Sequence, residues 1–145
     1  MAVSARKLEV FEILEKVENA KTKKDKIAVL QKNEIMPLLD VLRGTFDETI
    51  QWNLPGGTPP YTPNNEESYP STLLRQHRNF KYFVKGLRES NRLNPIRRER
   101  MFIDILEAIH PKDAELLVSM INKKSPLKGL TKSLVKEAFP QLIQD

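Results

Sequence analysis

The stretch Asn94–Ile121, NPIRRERMFIDILEAIHPKDAELLVSMI, decides the fold class. Asn94-Pro95 is an N-cap followed by proline at the first helical position, where proline's missing N–H is not needed. Met101, Phe102, Ile105, Leu106 and Ile109 then recur at helical steps. His110-Pro111 repeats the capping device, and Leu116, Leu117, Met120 and Ile121 repeat the spacing. Two amphipathic helices joined by so short a link must pack against other helices to bury their stripes.

Working outward, the same pattern recurs. Leu8, Phe11, Leu14 and Val17, with Val10 and Ile13, predict a first helix over about Ala5–Asn19 with Ser4 as its N-cap. Thr22-Lys23-Lys24-Asp25 caps a second helix carrying Ile27, Val29 and Leu30. Asn33 restarts a third with Met36, Leu38, Leu39, Val41 and Leu42. Pro37 must sit in its first turn, and Gly44 is expected to stop it. Leu73, His77, Phe80, Val84 and Leu87 read as one apolar stripe, with Arg78, Lys81, Lys85, Arg88 and Arg92 as a cationic stripe beside it. A last helix begins near Thr131 and ends at Phe139-Pro140. No alternating strand pattern competes. The expectation is an all-α fold, one compact domain over 1–145 of about seven helices, interrupted by a long proline-rich irregular loop at about 45–70.

That loop holds five prolines and two glycines, which forbid regular structure. It reads either as an extended crossover pinned to the core by Trp52, Tyr61 and Tyr69, or as a partner-binding loop using Trp52 and the stiff Pro59-Pro60-Tyr61 turn.

Composition narrows the function classes. With 145 residues the chain can bury a core without staples, and zero cysteines exclude disulfides and thiolate metal sites. His77 and His110 read as a packed core-edge residue and a helix-end cap. No phosphate loop occurs, and Gly56-Gly57 lacks the setting of a dinucleotide site. Asp104, Glu107, Asp113 and Glu115 read as a solvated helix face. No catalytic residue, metal or cofactor is expected. The start has no apolar signal-peptide core, and no apolar run is long enough to cross a bilayer. A soluble protein of a reducing cytoplasm is expected, with no membrane partner and no small-molecule substrate.

The formal net charge is +5, but it is unevenly placed. Lys123, Lys124, Lys128, Lys132 and Lys136 fall in a stretch with no acid. Nine basic residues lie between Arg75 and Arg100 against Glu89 and Glu99. The 44–70 segment is acidic instead. Such clusters either solvate helices or meet a phosphate backbone. In Ser125-Pro126-Leu127-Lys128-Gly129-Leu130-Thr131-Lys132 a lysine-rich turn leads into a helix start, where free N–H groups suit an anion.

Three groups of residues carry a resemblance. They are His110-Pro111-Lys112-Asp113-Ala114-Glu115 through Ile121-Asn122-Lys123-Lys124, Gly129-Leu130-Thr131-Lys132-Ser133-Leu134-Val135, and Phe139-Pro140-Gln141-Leu142-Ile143. Ile13–Val17, Thr22–Lys26, Val29–Lys32 and Leu38–Arg43 add to it. The chain resembles the helical N-terminal DNA-binding domain of phage ATP-dependent DNA ligases, except in its proline loop. It also looks like small stand-alone proteins of large tailed bacteriophages. The resemblance implies a viral module in the host cell cytoplasm that grips duplex DNA with little base specificity. Lys124, Gly129, Thr131 and Lys132 match the family's phosphate-contacting turn and helix start, and charge placement adds Lys123, Lys128, Arg78, Lys81, Lys85 and Arg88 as expected contacts. Ligase chemistry is not implied, since no Lys-x-Asp-Gly motif occurs. The alternative is a protein-interaction factor that holds a host or phage replication, transcription or defence protein, such as a polymerase or nuclease, through Trp52, Pro59, Pro60 and Tyr61.

Overall fold

The computed structural model describes residues 7–144. Among them the fold is all-α: α1 Val10–Asn19, α2 Lys23–Lys32, α3 Met36–Phe46, α4 Leu73–Gln76, a 3-10 helix His77–Tyr82, α5 Arg88–Asn91, α6 Pro95–Ala108, α7 Pro111–Ile121 and α8 Lys132–Ala138. The expected Ser4 cap lies outside the described residues. Glu9 caps α1 instead, in a reciprocal box with Glu12. Four other caps form where local chemistry placed them. Thr22, Asn94 and Thr131 accept from Asp25 N, Arg97 N and Leu134 N, and His110 Nδ1 accepts from Lys112 N.

α1 packs on α2 and α7, α3 on α7, α6 on α7, and α2 on α8. α7 is thus the central element, burying Ala114, Leu116, Leu117, Met120 and Ile121. Phe83 and Phe102 meet edge-on at 5.3 Å in the same core. Emptying such a site, as in Phe102→Ala, costs about 3–5 kcal/mol.

Three expectations need correction. Gly44 does not stop α3, which runs on to Phe46. A Cβ built on Gly44 would stand 2.5 Å from Trp52 Cζ2 and 2.8 Å from Met120 Sδ. The glycine is there to let two large side chains reach the helix backbone. Leu73–Leu87 is not one amphipathic helix. The chain tightens to a 3-10 helix after Gln76, so Phe80 and Phe83, three apart, take the buried face. Val84 is half-buried and Leu87 is 41% exposed. The extra short elements raise the helix number above the expected seven.

Asp113 is the third correction: it is fully buried, not on a solvated face. Its Oδ1 accepts from Phe11 N at 2.9 Å and ties the start of α7 to α1. Burial pushes its carboxyl up to about 8, with that hydrogen bond opposing and the Glu9 and Glu12 charges adding to the shift.

Two measurements check these packing arguments. Alanine outdoes glycine in a helix interior by about 1 kcal/mol. Gly44→Ala is nonetheless expected to destabilise by about 1–3 kcal/mol in urea unfolding, because Trp52 and Met120 must move; a gain would refute the close approach. Asp113 binds its proton more tightly when folded. Its contribution to stability is therefore full below about pH 4 and is lost as pH rises towards about 8. Asp113→Asn should gain on the natural protein across that window, read as a difference of melting profiles.

Candidate nucleic-acid interface

The lysine-rich turn begins where α7 ends. Lys123 adopts φ 56°, a left-handed conformation that a non-glycine residue takes only when something else holds it. Here the side chain does so. Lys123 Nζ donates to Gly44 O at 2.7 Å, Asp47 O at 2.7 Å and Ile50 O at 2.9 Å, one acceptor for each ammonium hydrogen. Burial lowers its pKa, and the Asp47 and Glu48 charges oppose that. Asp47 is itself buried. Hydrogen bonds from Thr49 and Gln144 and the charge of Lys123 outweigh that burial and hold its carboxyl below the usual range. Lys123 thus faces inward, and its charge is spent within the protein.

The rest of the turn faces out. Lys124, Lys128 and Gly129 are exposed and Lys132 is half-buried, 3.7 Å from Glu48 Oε1. The Ser125 hydroxyl lies within bonding distance of Leu127 O and Leu130 O and closes the turn. Gly129 has φ 88°, which requires glycine, and a Cβ there would meet Lys26 Cε at 3.4 Å. Lys26 donates to Val17 O and Ala20 O, capping the carbonyl end of α1. The turn therefore lies beside α2 at Lys26. Lys23 and Lys24 at the start of α2, and Lys21 before it, are exposed. Lys23 pairs with Glu137 on α8 at 2.9 Å. Nothing in one dimension placed Lys26 beside Gly129.

The second basic element is divided. Gly86, at φ 94°, turns the chain between Lys85 and Arg88, so the five cations share no helical face. Arg78, Lys81 and Lys85 line one depression with Arg43, while Arg88 and Arg92 lie outside it. His77 is held at its edge, with Nδ1 2.6 Å from Asp40 Oδ2.

The proline segment is an extended crossover fixed along its length. Gly57 exchanges two hydrogen bonds with the Asn122 side chain, and Glu107 accepts from Thr62 N and Asn64 Nδ2. Trp52 Nε1 donates to Gly44 O, and the ring packs against the core. Pro59 and Pro60 cover a cavity of about 230 Å³ over Phe102 and Ile121. Tyr61 is half-buried, and burial with the Glu115 charge raises its hydroxyl pKa. Tyr69 stands edge-on to His110.

Among the described residues no three acidic or histidine side chains gather as metal ligands. No described helix is long and apolar enough to cross a membrane.

The two neighbouring lysines should behave differently. Lys123→Met is expected to cost about 1–3 kcal/mol of stability in chemical denaturation, because three carbonyls lose a charged donor. Lys124→Met should change stability by less than about 0.5 kcal/mol. Equal effects would show that the inward grip of Lys123 is not formed.

No curated protein and no solved structure matches the chain. A family model does match over residues 13–126, from α1 through α7 to the start of the basic turn, and the chain belongs to that family, a family of unknown function (DUF6433).

Proposed function

We propose that this protein is a non-catalytic, phage-encoded module that binds the backbone of duplex DNA in the host cytoplasm. One observation carries the reading. Lys124 and Lys128 extend from a turn packed beside α2 at Lys26, and among the described residues neither ammonium meets a carboxylate. Lys21 and Lys24, before and at the start of α2, are exposed as well. A surface of this kind attracts phosphates through counterion release and reads no base sequence.

The Thr131 hydroxyl accepts from Leu134 N and keeps its own hydrogen to donate to a phosphate oxygen. Gly129 leaves the backbone uncovered beside it. α8 has seven residues, so its dipole adds little, and the lysines supply the attraction. The ligase-like pattern of residues 110–143 favours the same reading. Lys123 is left out of the contact set because its ammonium is already coordinated. The Pro59–Tyr61 segment lies over α6 and α7, and Tyr61 packs against the core.

Fluorescence anisotropy with a short duplex tests the proposal. Affinity should fall as a power of salt concentration, with a log–log slope of about −0.9 per phosphate contacted. Lys124→Ala combined with Lys128→Ala should weaken binding and flatten the slope by about 2, with an unchanged melting temperature. Salt-independent binding, or a slope indifferent to the double substitution, would rule the reading out.

A further inference from the structure

The turn leaves a second charged feature unexplained. Between α3, the 3-10 helix and the first residues of the crossover lies an open depression of about 590 Å³. Arg43, Arg78, Lys81 and Lys85 all line it, and Asp40 is the one carboxylate among its lining residues. Asp40 is already engaged, 3.4 Å from Arg43 Nη2 and 2.6 Å from His77 Nδ1. Among the described residues Arg78, Lys81 and Lys85 meet no carboxylate; Lys81 only lies 5.5 Å from the Tyr82 ring centroid. Cations gathered in a concave site repel one another, and a bound anion relieves that repulsion.

The wall beside these cations is aromatic. Trp52 and Phe80 line the same depression, with ring centroids 6.1 Å apart at 89°. Trp52 is half-buried, and its Nε1–H bond to Gly44 O holds the indole in place. The imidazole of His77 is likewise oriented by its Nδ1 hydrogen bond with Asp40 Oδ2. Sites of roughly 300–1,000 Å³ hold small organic ligands, and an apolar wall beside cations suits a flat ring attached to a phosphate.

We propose that this depression binds a single nucleotide unit, its phosphate on Arg78, Lys81 and Lys85 and its base against Trp52 and Phe80. The same chemistry is offered by a free mononucleotide and by an unpaired nucleotide within a strand. This site is separate from the turn at 124–132 and does not depend on it.

Trp52 is the only tryptophan and lines the depression, so its fluorescence reports on binding there. The full chain is titrated with adenosine monophosphate, ribose 5-phosphate, adenosine and a short single-stranded oligonucleotide. Saturable change with adenosine monophosphate, tighter than with either fragment, is expected. Arg78→Gln with Lys81→Gln, both exposed positions, should weaken it by about tenfold or more without lowering the melting temperature. An oligonucleotide that binds more tightly than the mononucleotide identifies a strand as the source, and the reverse identifies a free nucleotide. No saturation, ribose 5-phosphate binding as tightly as the nucleotide, or indifference to the double substitution overturns the proposal. A Lys124→Ala, Lys128→Ala protein separates the two sites. If it loses duplex affinity and keeps the Trp52 response, both readings stand. If duplex binding is normal with no Trp52 response, this site alone fails; if the Trp52 response is normal and duplex binding is absent, the turn alone fails.

Discussion

The carbonyl of Gly44 is where the fold is tied together. It accepts from Trp52 Nε1 at 2.9 Å and from Lys123 Nζ at 2.7 Å, filling both lone pairs. The missing Cβ lets the indole and the Met120 sulfur close onto the helix. One residue of α3 therefore fixes the start of the crossover and the end of α7 together. The candidate surfaces follow from it. Trp52, so held, is a wall of the cationic depression, and Lys123, so held, sets where the exposed turn begins. Loosening this point would disturb the core and both surfaces at once.

The positive charge of the chain is divided between two tasks. Lys26, Lys123 and Arg98 turn inward. Lys26 and Lys123 gather carbonyls at the ends of α1 and α3, and the buried Arg98 donates to Ser90 O and Leu93 O. Helix ends present unpaired carbonyls with partial negative charge, so a cation there stabilises the fold. Lys124, Lys128, Arg78, Lys81 and Lys85 are not used this way. A net charge of +5 conceals that division. Counting cations overstates what any partner would meet at the turn and understates their concentration around the depression.

Features governed by near neighbours were legible in advance. The caps at Thr22, Asn94, His110 and Thr131 depend on hydrogen bonds two or three residues long, and each forms. The irregular 45–70 crossover followed from prolines that deny backbone donors. Of its two readings, the pinned crossover describes the geometry, with Trp52, Tyr61 and Tyr69 against the body. The apolar spacing from Leu73 to Leu87 fits a period of 3.6, whereas the chain is α-helical only to Gln76, then 3-10 to Tyr82, and turns at Gly86. Periodicity over so short a run cannot choose between those two helices, because contact with the core makes the choice.

By itself, then, the sequence determined that this protein is built of helices, where most of them start, and that a proline segment divides them. Those outcomes rest on propensity, capping and hydrophobic spacing, all of which act within a few residues. Tertiary structure alone decided that Gly44 is a packing contact and no terminator, that Asp113 is buried, and that Lys123 points in while Lys124 points out. It also brought Arg43 beside Arg78 and Lys26 beside Gly129. The physical reason is the same in each case. Burial and long-range hydrogen bonding depend on which distant segment arrives, and neighbouring residues of one type meet different fates when the chain turns between them.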